Sequence, residues 1–265
     1  MRRRHCLTLP LAAAWGGCAV VQGVSPAAKV SLVPTGTLRA AINLGNPVLA
    51  RREGGELRGV SVDLARELAK RVVMPLQFVV YESAGAVVFA AAGQAWDVAF
   101  VAIDPARGRE MLQTNPYLII EGAYLVAADS PIRSNDEVDR PGVRIAVGKG
   151  SAYDLYLSRA LKLAQIVYAP TSPAVTDVFV AQKLDVAAGV RQQLEADAKR
   201  LPGLRVLDGR FMVIQQAMAT LPGREAGLAY LNSFVEEMKS SGFVAQALAQ
   251  HRIEGAQVAP PGPAR

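Results

Sequence analysis

The sequence predicts an α/β protein of two lobes, each with its own mostly parallel sheet flanked by helices. Two observations predict it. Apolar runs of strand length alternate with stretches of helical spacing from residue 38 to residue 103, and the same alternation restarts after residue 126. Each unit of about 90 residues is long enough to hold a core of its own.

The elements follow in order. Residues 38–44 form a short apolar run between Gly36 and Gly45 and suit a buried strand. Residues 61–72 place Val62, Leu64, Ala65, Leu68, Ala69 and Val72 at helical spacing, with Ser61 as the expected N-cap. A second strand is expected over 76–81, a small-residue helix over 84–92 closed by Gly93, and a third strand over 97–103. In the second unit, strands are expected over 143–147, 166–168, 186–188 and 204–207, with helices over 152–164, 174–183 and 192–200. Two more helices, 224–238 and 242–250, precede a Pro-, Gly- and Ala-rich tail. The expected division is a signal peptide over 1–28, lobe 1 over 29–124 and 214–255, lobe 2 over 125–213, and a disordered tail over 256–265.

Arg2, Arg3 and Arg4 open the chain, a short apolar stretch broken by Pro10 follows, and small residues lead to Ala27 and Ala28. These are the three parts of a secretory signal, so export to the periplasm is expected. Trp15-Gly16-Gly17-Cys18 resembles a lipoprotein processing site, which makes a lipid anchor at Cys18 the second expectation. Removing residues 1–28 lowers Lys+Arg from 29 to 26 against 23 acids, a net charge of +3. That modest charge does not support nucleic-acid binding. Both cysteines, Cys6 and Cys18, and His5 fall in the signal, leaving His251 alone. A disulfide, a thiol nucleophile, a metal site and a cofactor are therefore not expected.

Six stretches of sequence carry a resemblance. Trp96-Asp97-Val98-Ala99-Phe100, Ile103-Asp104-Pro105-Ala106-Arg107 and Thr114-Asn115-Pro116-Tyr117 lie in sequence, with Gly93 four residues before Asp97 and Thr114 seven after Arg107. The run from Leu57 to Leu64, the run Val143 to Ser151, and Lys239-Ser240-Ser241-Gly242-Phe243 add to them. Together they resemble the family 3 extracellular solute-binding proteins over roughly residues 35–255. The resemblance implies a periplasmic-binding-protein-like (type II) fold, with a hinge near 122–126 and 211–215 and a ligand cleft between the lobes. It also implies a monomer that captures an amino acid or organic acid and delivers it to an ABC transporter permease in the inner membrane. Parallel α/β sheets bind ligands at the carboxyl ends of their strands, which places the cleft independently.

The matching arginine of the family, here Arg107, holds the ligand carboxylate; a planar guanidinium suits two parallel bonds to one carboxylate. Arg109 has the wrong spacing. Gly150 and Ser151 form the facing loop of lobe 2, where backbone amides and a helix N-terminus favour an anion. Family members that bind amino acids place a serine or threonine at the position of Ala102 and an acid at that of Val190. The acid being absent, Asp104 or Glu82 stands as a substitute partner for an ammonium; alternatively Arg191 meets a second anionic group. Asn43, Asn46 and Tyr81, near strand ends, are further candidates. The competing functions are a cyclohexadienyl-dehydratase-like enzyme and a ligand-sensing module for a partner receptor. The dehydratases of this fold carry a His-Pro-Gly-Gly-Thr-Asn stretch where this chain reads Val147-Gly148-Lys149-Gly150-Ser151-Ala152, so no enzyme is expected.

Overall fold

The structure, a computed structural model, describes residues 23–263. Along the chain it runs α1 (Pro26–Leu32), β1 (Leu38–Asn43), β2 (Arg51–Glu53), β3 (Glu56–Arg58), α2 (Val60–Val72), β4 (Leu76–Tyr81), α3 (Ala84–Ala91), β5 (Val98–Ala102) and β6 (Leu112–Ala127). It continues with β7 (Arg144–Gly148), α4 (Ala152–Ala160), β8 (Gln165–Ala169), α5 (Val175–Ala181), β9 (Val186–Val190), α6 (Arg191–Arg200), β10 (Leu204–Val206) and β11 (Met212–Thr220). The last elements are α7 (Glu225–Ser240), α8 (Phe243–Gln250) and β12 (Gln257–Val258).

Two boundaries differ from expectation for local reasons. Gly59, at φ 131°, leads into α2, and a Cβ there would sit 2.3 Å from the Leu49 carbonyl oxygen. Ser61 is therefore not the N-cap; it lies inside the helix, buried, with its hydroxyl 3.2 Å from that of Tyr117. Helix α4 stops at Ala160 because the carboxylate of Asp139 takes the backbone amides of Lys162, Leu163 and Ala164 at 2.9, 2.8 and 2.9 Å.

Two separate sheets were expected, and this is corrected. The strands of both lobes form one hydrogen-bonded sheet in the order β4-β1-β5-β11-β6-β9-β7-β8, with β10 and β12 also paired to β6, while β2 and β3 make a separate hairpin. In the first lobe β1 is parallel to β4 and β5; in the second β7 is parallel to β8 and β9. The ladder is unbroken because β6 is 16 residues long and serves both lobes. It pairs antiparallel with β11 up to Gly122, and Gly122 also begins its pairing with β9. At Gly122, opposite Met212, β6 thus passes from pairing with β11 to pairing with β9. Helix α7 then packs back on β6, β11 and α1 in the first lobe. A Cβ on Gly122 would fall 2.6 Å from the Met212 side chain, so the crossing strands touch there.

The disorder expected for 256–265 is also corrected over its described part. Strand β12 pairs with Ile119 and Leu118 of β6, and Ala259 is buried. Ala259 N donates to the Tyr117 carbonyl at 3.2 Å, Lys239 Nζ to the Pro260 carbonyl at 2.9 Å, and Gly262 N to Glu236 at 3.2 Å. The open edge of β6 offers these residues backbone partners, and the prolines among them lose little backbone freedom on ordering. Truncation after residue 255 is expected to cost about 1–3 kcal/mol and to lower Tm by several degrees, read by thermal unfolding.

At the other end the expected processing point after Ala28 falls inside α1. Ala28 is buried, its amide donates to the N-cap Ser25 at 3.1 Å, and Ser31 Oγ accepts from Gly227 of α7 at 3.1 Å. Most of the signal, with Cys18, lies outside the described residues. Among the described residues no helix is long and apolar enough to cross a membrane.

Candidate functional site

The carboxyl ends of β1, β5, β7 and β9 converge with the start of β11 on one small cavity of about 30 Å³. Asn43 and Asn46 come from the β1 turn, Ala102 and Arg107 from the segment after β5, Ser151 and Tyr153 from the β7–α4 junction. Val190 closes it from the end of β9, and Ile214 and Gln216 from β11. Both lobes therefore contribute, and β11 adds residues that are distant in sequence.

Arg107 is the central group. It sits in a short 3-10 turn and is 2% exposed. One guanidinium nitrogen donates to the Ala102 carbonyl at 3.1 Å and the other to the Gly150 carbonyl, across the lobes, at 3.0 Å. Its Nε is buried with no partner. Burial pushes the guanidinium down to about 10, against the opposing pull of the Asp104 carboxylate, and it stays charged at neutral pH. A buried charge without a paired carboxylate is costly. Arg109, two residues on, is exposed.

Ser151 caps α4, its hydroxyl oxygen accepting from Asp154 N at 3.0 Å, and lines the cavity as well. Gly150 carries φ 72°, and a Cβ on it would meet Gly85 Cα at 2.9 Å. The backbones of Gly85 in the first lobe and Gly150 in the second are thus in direct contact, sealing the cavity. Outside this contact a wider groove of about 590 Å³, lined by Val88, Phe89 and Leu155, reaches the other side of Arg107.

Of the remaining expected residues, Asn43 and Asn46 join the cavity. Asp104 is bound by Arg159 of α4 at 2.7 and 3.2 Å and accepts from Ala106 N at 2.8 Å. Tyr81 ends the edge strand β4 and packs with the cluster around Val87 and Trp96. Glu82 is exposed, and only its backbone carbonyl approaches the Gly45 turn. Arg191 does not reach the cavity. Its Nε donates to Glu121 at 3.0 Å, beside the crossing strand, and its guanidinium contacts Glu195 and the Gly209 carbonyl. Val190 ends the strand facing the cavity, and the next residue turns away with the start of α6. Gln216 was missed: it is 3% exposed, and its Oε1 is buried without a partner. Its one signal is the polar pair Gln215-Gln216 inside the run Ile214 to Ala219, of which Gln216 is the buried member.

The family model of the bacterial extracellular solute-binding proteins, family 3, matches residues 38–252. The chain belongs to that family. A mutant of ArgBP from T. maritima is 20% identical, with a TM-score of 0.74 over 86% of this chain and 100% of that one. A solute receptor for L-cysteine from Neisseria gonorrhoeae is 19% identical, with a TM-score of 0.75 over 86% and 94%. An ancestral amino acid-binding protein, described as a precursor of cyclohexadienyl dehydratase, is 21% identical, with a TM-score of 0.72 over 84% and 98%. The fold is thus the two-lobed fold of the periplasmic binding proteins. The expected cleft position, at the strand ends between the lobes, is where the cavity lies.

Proposed function

We propose that this protein is a non-enzymatic receptor of the bacterial envelope that closes its two lobes on a small carboxylate-bearing solute and delivers it to the inner-membrane permease of an ABC importer. The observation that carries this reading is Arg107, a buried guanidinium at the lobe boundary with no carboxylate paired to it and one donor unused. Family membership supports export and delivery. Processing ahead of Ser25, of which Cys18 is one such point, keeps α1 whole. An enzyme is disfavoured because His251, the one histidine outside the signal, sits 2.6 Å from Asp63 of α2 and does not line the cavity, which leaves no acid–base pair there.

The closure reading rests on contacts that bridge the lobes: Arg107 to Gly150, Asp104 to Arg159, and the Gly85–Gly150 backbone contact. A cavity of about 30 Å³ holds roughly a water molecule, so a solute enters an opened form and is enclosed by a hinge at Gly122 and Met212. A thermal-shift screen of carboxylates tests the reading, since a ligand at 100 times its Kd adds about 2.7 kcal/mol of stability. Gly150→Ala introduces a Cβ against Gly85 at a left-handed φ, a strain of about 1 kcal/mol before the clash. It is expected to weaken solute binding about tenfold and to reduce the ligand-induced compaction seen by small-angle X-ray scattering. Normal compaction and affinity in Gly150→Ala would show that this contact is not part of closure.

A further inference from the structure

We infer that the solute is an organic anion without an α-ammonium group, a hydroxy or oxo acid rather than a zwitterionic amino acid. The inference rests on the proposal that Arg107 clamps a carboxylate and adds what surrounds it. The cavity lining contains one charged side chain, Arg107, and no Asp or Glu. None of the acids of the adjoining segments lines it, and Glu110 is exposed in the outer groove. Asp104 is held by Arg159, Asp154 accepts from Gly150 N at 2.7 Å and from Ser158 at 3.1 Å, and Glu121 is held by Arg191 and Arg210. Glu82 is exposed.

A monoanion neutralises the enclosed guanidinium. A zwitterion brings one negative and one positive charge, so the closed site would keep an uncompensated cation with little water to solvate it. The hydrogen-bonding groups point the same way. Asn43 and Asn46 commit their side-chain oxygens to Gly45 N at 2.9 Å and Val48 N at 3.2 Å, which leaves their amide nitrogens as donors. With Arg107 Nε they form a donor-rich lining suited to the oxygens of an acid. An ammonium, which only donates, requires several acceptors, whereas the one unpartnered buried side-chain acceptor in the lining is Gln216 Oε1. That oxygen suits the hydroxyl of a hydroxy acid.

The experiment is isothermal titration of the exported protein with matched series on one carbon skeleton: L-alanine, pyruvate and L-lactate; L-valine, 2-oxoisovalerate and 2-hydroxyisovalerate; L-glutamate and 2-oxoglutarate. Each is repeated with Arg107→Ala. The expected result is that in the series that binds, an oxo or hydroxy acid binds at least 100-fold tighter than its amino acid, and that Arg107→Ala abolishes this. Gln216→Glu, isosteric with the natural side chain, adds a carboxylate and should lower that ratio at least tenfold; an unchanged ratio would overturn charge as the discriminator. An amino acid that binds as tightly as its oxo acid, in an Arg107-dependent way, would overturn this inference and leave carboxylate capture standing. Binding by neither class, or binding that survives Arg107→Ala, would overturn both.

Discussion

Arg107→Ala is expected to reduce solute affinity by roughly 30-fold to several thousand-fold, about 2–5 kcal/mol, the usual loss when one partner of a buried charge-assisted pair is removed. The unliganded fold should keep or gain stability, because the side chain removed is a buried cation bonded only to the carbonyls of Ala102 and Gly150. The two readouts therefore move independently: the ligand-induced rise in Tm disappears while the Tm of the free protein does not fall. Arg107→Lys should restore little, since an ammonium lacks the planar fork, and exposed Arg109 should be replaceable by alanine without loss. Isothermal titration and thermal unfolding of the three variants make the check. Full affinity in Arg107→Ala would place the solute elsewhere.

Much of the architecture is legible because each lobe is written locally. Strands such as β1 and β5 are short apolar runs, and α2 shows its buried stripe at helical spacing. The long strands β6 and β11 are not legible in this way. Pro116 lies inside β6, opposite Ala217 at a shift in register, and an interior proline reads as a break because it lacks a ladder donor. The continuity of the sheet follows from those two strands, so it was hidden with them. The ordered tail was hidden for a related reason: its partner is the edge of β6.

The site was legible in part. The family resemblance singles out Arg107 and Ser151, at loop positions set by the strand that precedes them, and both line the cavity. Arg191 shows the limit of spacing. It directly follows Val190, yet that single step along the chain carries its side chain away from the cavity to Glu121. Gln216 shows the other limit. It reaches the cavity from an antiparallel strand more than 100 positions from Arg107, and only pairing of β11 with β5 and β6 brings it there.

Asp97→Ala is expected to destabilise the fold by about 3–5 kcal/mol without a direct effect on the cavity, the cost of leaving a buried ion pair half removed. The Asp97 carboxylate is fully buried, and it accepts from Arg39 N, Nε and Nη2 at 3.0, 2.9 and 2.7 Å and from Arg224 Nη1 at 2.9 Å. It joins β1, the start of β5 and the entry to α7, so it ties the returning C-terminal helices to the first lobe. Burial alone would raise its pKa, but the bonds from Arg39 and Arg224 outweigh burial and the net direction is down. A depressed carboxyl contributes stability that is fully present above the unfolded value of about 3.9 and is lost as pH falls through the folded value. Urea unfolding should therefore show the full gap between wild type and Asp97→Ala at pH 7 and a narrowing gap below about pH 4. A gap that is constant across this range would assign the loss to packing rather than charge. Asp97 and Arg107 are both buried charges ten positions apart in one segment, and they differ in one respect. Asp97 is compensated by two guanidiniums within the fold, whereas Arg107 has no paired carboxylate; the first charge therefore serves stability, and the second is the one the proposed function assigns to the solute.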